Sequence, residues 1–242
     1  MNQIYHPGLM PTLRTPGKGV FQDNAYAYFQ DFAVGGATAI KSTDSSAWGI
    51  FADTADMGEW LVSAVSPGLR PAIQDDQASG VVKMTTGSTN GQEICCQMNG
   101  ETLYLAAGKR TVIEYRVQFD LLTVKALIGV SINATDPTGT TPSDIVAIAF
   151  SGDQDIETLV RTGSTGAVAD SGTDAVINTW TVLTIEYTGE NRVNFYKDGV
   201  RIASITSNVP NGVYMAPVFA IEPTNSAAIS ALWDYVGFVS DR

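Results

Sequence analysis

Histidine is almost missing: His6 is the one histidine in 242 residues. It lies in the least regular part of the chain, so a Ser-His-Asp or Cys-His arrangement, or a histidine-based metal site, has no regular element to assemble on. Cysteine is nearly as scarce, with Cys95 and Cys96 alone and adjacent. On a strand these two side chains point to opposite faces and a bridge between them would close almost no loop, so two reduced thiols in a sheet are expected. No stretch approaches the ~20 apolar residues that span a bilayer, and the N-terminus lacks the charged start and apolar run of a signal peptide. Synthesis in a cytoplasm, with no membrane partner, is therefore expected. Positive charge is short as well: 14 basic against 25 acidic residues give a formal charge of −11. Phosphate neutralisation is not within reach of such a chain, and neither nucleic acid nor an acidic partner is expected. There is no CxxC pair, no glycine-rich phosphate loop before a helix, and no repeat of fixed period. No cofactor is expected.

What the chain has in quantity is two-residue alternation. Across Trp180 to Thr206, WTVLTIEYTGENRVNFYKDGVRIASIT, the residues Val182, Thr184 and Glu186 alternate with Leu183, Ile185 and Tyr187. Val193 and Phe195 then alternate with Arg192, Asn194 and Tyr196. The period is that of strands with one buried face. Gly189 with Asn191 supplies one turn, and Asp198-Gly199 supplies a two-residue hairpin, so three strands are predicted. Arg110 to Asp120 alternates equally cleanly, placing Val112, Glu114, Arg116 and Gln118 on one face and Thr111, Ile113, Tyr115, Val117 and Phe119 on the other.

Further strands are expected at Tyr26 to Phe32, twice within Thr38 to Phe51, and at Val81 to Thr85, Gly91 to Met98, Thr102 to Leu105, Lys125 to Ile132 and Ile145 to Phe150. Residues 66–80 and Gly163 to Asp174 read as loops of small and polar residues. No segment is assigned to a helix. Asn133-Ala-Thr135 matches a glycosylation sequon, which without a secretion signal reads as chance.

The pattern W…L.I…G.V.FY.DG that runs from Trp180 to Gly199, with a closing strand at Ala228 to Val239, resembles the concanavalin A-like, laminin-G-like jelly roll. The resemblance implies an all-β antiparallel sandwich over roughly residues 26–239. The division expected is an extended N-terminal arm at residues 1–25 and a jelly-roll domain at 26–242. Pro7, Pro11 and Pro16 with Gly8, Gly17 and Gly19 keep the arm out of a helix. Its Tyr5, Leu9, Met10, Leu13, Val20 and Phe21, with the basic Arg14 and Lys18, make it a candidate subunit- or capsid-binding segment.

Several chemistries are weighed. Asp153, Asp155 and Glu157 in GDQDIET fall on one face if extended, and clustered carboxylates are how glycosidases keep one acid protonated beside an ionised partner. Some concanavalin-like glycoside hydrolases carry alternating acids of the kind ExDxE on a concave-face strand, which this DxDxE is similar to. The alternative is a solvated acidic edge that discourages strand-to-strand aggregation. Asp53, Asp56 and Glu59 read as a solvated turn or a calcium site, and Trp48, Trp60, Trp180 and Trp233 as core or as sugar platforms. With an apolar Pro/Gly arm, no usable catalytic set and loops made of Thr, Ser, Gly, Ala and Asp, the chain is expected to be a non-enzymatic virion structural protein. In style it resembles the jelly-roll decoration, or cement, proteins of tailed bacteriophages. Its expected partners are a capsid protein and its own copies, as a homotrimer. A carbohydrate-binding or fibre-tip role, with a glycan as partner, and a glycan-cleaving enzyme are the alternatives.

Overall fold

The computed structural model describes residues 25–31, 49–51, 60–64, 71–74, 81–98, 102–121, 123–132 and 142–241. Among them the chain forms only strands. In chain order these are β1 (Ala25–Asp31), β2 (Gly49–Phe51), β3 (Trp60–Ala64), β4 (Ala72–Gln74), β5 (Val81–Thr85), β6 (Ile94–Met98), β7 (Leu103–Leu105), β8 (Thr111–Phe119) and β9 (Val124–Ser131). They continue with β10 (Ile145–Ser151), β11 (Asp155–Thr162), β12 (Thr165–Asp174), β13 (Thr181–Tyr187), β14 (Val193–Lys197), β15 (Val200–Ile205), β16 (Val213–Pro223) and β17 (Ser230–Asp241).

Two antiparallel sheets result. The first runs β15-β14-β13-β8-β17-β5-β4, with β1 also on β17; the second runs β12-β11-β10-β9-β16-β6-β3-β2, with β7 also on β16. This is an all-β antiparallel sandwich, as the alternation of the sequence predicts. The meander from Trp180 is β13-β14-β15, and its hairpin places Asp198 and Gly199 at φ 50° and 79°, the left-handed pair a type I′ turn needs.

Inward-facing side chains of both sheets make one core. Ile113, Tyr115, Val117 and Phe119 of β8 enter it, while Glu114, Arg116 and Gln118 stay on the outer face, as predicted. Trp233 is its hub, edge-on to Trp60 at 4.6 Å and to Phe219 at 5.5 Å between ring centroids. Full burial of rings this size is the largest apolar contribution a single side chain makes, with about 0.5–1.5 kcal/mol more for each well-placed aromatic pair. The layers are also tied by a hydrogen bond, the Tyr115 hydroxyl donating to the Gly129 carbonyl at 2.5 Å. Cys96 lies in this core and Cys95 on the opposite face of β6, both as free thiols. Burial pushes the Cys96 thiol far above its ordinary range.

Three departures from the sequence reading have physical causes. The expected loop at Gly163 to Asp174 is the edge strand β12, paired along β11. Solvent reaches much of both its faces, so no apolar alternation marks it. The expected loop at 66–80 contains the short strand β4, at an edge of the first sheet. In β17 a bulge between Trp233 and Tyr235 changes the phase of the strand: Ala231 and Trp233 point inward before it, Val236 and Phe238 after it. Strict alternation does not foresee such a switch. The second strand expected within Thr38 to Phe51 lies outside the described residues, apart from β2.

Candidate active site

The acids of GDQDIET gather at one corner of the second sheet, where β10 turns into β11. Ile156 and Val160 of β11 point into the core, so Asp155 and Glu157 project from the outer face. Asp153 lies in the turn itself, its Oδ1 accepting the Asp155 N–H at 3.2 Å. The edge strand brings two further carboxylates, because the register sets Asp174 directly opposite Asp155 and Asp170 directly opposite Glu157. A bulge on β12 separates the two pairs.

Directly opposed like charges destabilise a sheet, and here two such pairs stand in succession. The side chains are nevertheless held in place. Ser151 Oγ donates to Glu157 Oε2, Gln154 Nε2 donates to Asp174 Oδ2 at 3.0 Å, and the Gly172 N–H donates to Asp170 Oδ1 at 2.7 Å. Lys197 Nζ donates to the Asp174 backbone carbonyl at 2.8 Å.

The crowding has a chemical result. The charge of Asp153 does most to raise the Asp155 carboxyl above its ordinary value; desolvation, Asp174 and Asp170 add to it, as does a hydrogen bond with Asp174. Crowding that raises one carboxyl within a group of acids favours its use as a proton donor. Among the described residues no three His, Cys, Asp or Glu side chains converge as metal ligands would.

The rest of the second sheet's outer face is a different environment. Cys95, Leu127, Ile145, Ala147, Leu159, Val218 and Ala220 form a second buried apolar cluster there. The outer positions of β10, the third strand from this edge, are thus Ile145, Ala147 and Ala149, and the acids of β11 and β12 stand one and two strands nearer the edge. Lys125 and Glu222 pair across the end of this face at 3.1 Å.

The outer face of the first sheet carries a polar network. Glu114 accepts from Thr184 Oγ1 at 3.1 Å and from the Tyr235 hydroxyl at 2.8 Å. Glu186 takes Arg110 at 2.6 Å on one oxygen, and on the other the Tyr196 hydroxyl at 2.6 Å and Asn194 Nδ2 at 3.0 Å. Burial opposes ionisation of Glu186, but these three donors and the guanidinium charge outweigh it and hold the carboxyl below its ordinary value. Tyr196 is pushed up to about 12 by burial and by the Glu186 it serves.

Of the tryptophans, Trp60 and Trp233 are core, and Arg116, ion-paired with Asp234, sits 4.5 Å over the Trp180 ring. None of these three is a free sugar platform. Trp48, the Asp53, Asp56 and Glu59 turn, the Asn133 sequon and all the arm residues, Tyr5, Leu9, Met10, Leu13, Arg14, Lys18, Val20 and Phe21, lie outside the described residues. Sequence reasoning missed Asp170 and Asp174. Small residues flank them, and only the pairing of β12 with β11 reveals that they face Glu157 and Asp155.

No family model matches the chain, and no curated protein matches it in sequence. Its sandwich is nevertheless similar to solved structures. An endo-1,3-beta-glucanase from Streptomyces sioyaensis matches with a TM-score of 0.60 at 12% identity, over 94% of this chain and 99% of that one. A structure from a study of endo-acting O-glycanases of the human gut microbiota, which initiate mucin breakdown, matches at 0.56 and 14%, over 89% and 99%. A beta-1,3-1,4-glucanase (lichenase) derived from a mouse hindgut metagenome matches at 0.55 and 13%, over 88% and 98%. The fold is therefore the concanavalin-like jelly roll that these glucanases share.

These likenesses correct the expectation of a non-enzymatic virion decoration protein. The traits behind it were an apolar Pro/Gly arm, loops of small and polar residues and the lack of a usable catalytic set, and none is specific to a capsid. Lack of histidine does not bear on carboxylate chemistry, and the sandwich is similar in fold to the glucanases over 88–94% of this chain.

Proposed function

We propose that the chain cleaves glycosidic bonds in a neutral polysaccharide, a β-glucan by analogy with the glucanases whose fold it shares. The observation that carries this reading is the pair of directly opposed carboxylates, Asp155 with Asp174 and Glu157 with Asp170, on an accessible corner of the outer face. A stretch that served folding alone would avoid such repulsion. Asp155 is the general acid, giving its proton to the departing glycosidic oxygen. Glu157, oriented by Ser151, faces the anomeric carbon, either activating the water that attacks it or bonding to it first. Two residues along one strand face put the two backbones about 7 Å apart, compatible with the roughly 5–9.5 Å between carboxyl groups used in glycoside hydrolysis.

The test is release of reducing ends from soluble β-1,3-glucan and mixed-linkage β-1,3-1,4-glucan. Glu157→Gln and Asp155→Asn should each lower the rate by about 10²-fold or more. Neither exchange removes an apolar contact, so the thermal midpoint should not fall. A wild-type chain that releases nothing, or a Glu157→Gln variant with full activity, would refute the assignment.

A further inference from the structure

Away from the acids, a second exposed feature stands on the same sheet. Tyr104 of β7 and Tyr214 of β16 stand directly opposite each other in the ladder. Their ring centroids are 4.4 Å apart and the planes are tilted by 34°. Both rings meet solvent, at 36% and 52% exposure. Beneath them Leu103, Leu105 and Met215 are fully buried in the main core, so the pair rests on a rigid base. In the turn that leads into β16, Asn211 Oδ1 accepts the Ala107 N–H at 2.9 Å.

We infer that Tyr104 and Tyr214 form a sugar-stacking platform for a neutral polysaccharide of β-gluco configuration. A pyranose whose substituents are all equatorial presents a flat, apolar C–H face that fits an aromatic ring, with its hydroxyls at the rim, within the reach of tyrosine hydroxyls. Rings already fixed against each other lose little freedom on binding, so more of the stacking energy appears as affinity. The charge of −11 selects against glycans bearing uronate or sulfate. The platform does not rest on the hydrolytic reading. β16 and β11 are separated by β9 and β10, so the tyrosines and the acids are at least about 14 Å apart across the sheet. They contact different parts of a chain-like ligand, or different chains.

Affinity electrophoresis and calorimetry with soluble β-1,3-glucan and mixed-linkage glucan test this. Tyr104→Ala and Tyr214→Ala should each weaken Kd about three- to tenfold, while Tyr214→Phe keeps the ring and binds nearly as wild type. Thermal midpoints identify any variant whose loss comes from misfolding. Alanine variants that bind as tightly as wild type overturn the proposal, and so does a wild-type chain that binds neither glucan. Sedimentation showing a wild-type dimer dissolved by Tyr214→Ala also overturns it, because a second copy would then be the occupant. Glu157→Gln separates the two readings. If wild type cleaves neither glucan, yet both it and Glu157→Gln bind through the tyrosines, the hydrolytic assignment fails and the platform stands.

Discussion

Replacing Glu186 by glutamine keeps the shape of a side chain on which three donors converge and removes its charge. One carboxylate oxygen receives Arg110 at 2.6–2.7 Å and the other receives Tyr196 and Asn194. An amide has one oxygen, so its NH2 must face either the guanidinium or the hydroxyl and amide donors. At least one set of charge-assisted hydrogen bonds is lost, and such bonds contribute roughly 1.5–3 kcal/mol each. Arg110 is 32% exposed against 12% for Glu186, so solvent screening reduces the ion-pair share. The expected loss is about 2 kcal/mol near neutral pH.

The pH dependence gives a sharper test. Because the folded-state carboxyl sits below its ordinary value, its stabilisation is fully present above the unfolded value of about 4.3 and is lost as pH falls through the folded one. Urea unfolding followed by tryptophan fluorescence should therefore show a gap between wild type and Glu186→Gln that narrows by up to about 1.4 kcal/mol per pH unit in that window. A gap that is the same at about pH 7 and about pH 3 would mean that the network does not act through the ionised carboxylate, and the reasoning would fail.

Two other outcomes follow from the same structure. Asp174→Asn removes the charge opposite Asp155, so a carboxyl NMR titration should show Asp155 taking its proton at lower pH than in wild type; no movement would deny the coupling. The sign here is opposite to that of Glu186. A raised folded-state carboxyl stabilises below that raised value and loses this contribution as pH rises through it, so the corner is least comfortable when fully ionised. Trp233→Ala, at the hub of the aromatic core, should cost about 3–5 kcal/mol in urea unfolding. A loss under about 1 kcal/mol would mean that the core closes over the gap.

Most of the fold was legible because it is written in alternation. The faces of β8 and the meander β13-β14-β15 follow directly from which residues are apolar, and Asp198-Gly199 announces its own turn. What escaped was written in pairing rather than pattern. Strand β12 is wet on much of both faces, so its residues carry no apolar period and nothing marks Asp170 and Asp174 as neighbours of Glu157 and Asp155. The bulge at Trp233 is likewise invisible until β17 is laid against β8. Of the candidate site, Asp155 and Glu157 were readable as a shared face; the repulsion that sets them apart from an ordinary acidic edge was not. Tyr104 and Tyr214, 110 residues apart in sequence, meet only through the ladder between β7 and β16.

The Gly129 backbone is gripped from both sides of its sheet. From within, the Tyr115 hydroxyl takes its carbonyl. On the other side, a Cβ at Gly129 would fall 2.2 Å from the Val146 carbonyl oxygen and 2.6 Å from the Ala147 Cα, both of them backbone atoms with no room to yield. Each residue constrains the other: phenylalanine at 115 removes the hydroxyl bond between the sheets, and alanine at 129 forces two strands apart. Together they make a fingerprint, a tyrosine followed fourteen residues later by a glycine on the facing sheet. That spacing within two successive alternating strands offers a way to recognise relatives of this chain.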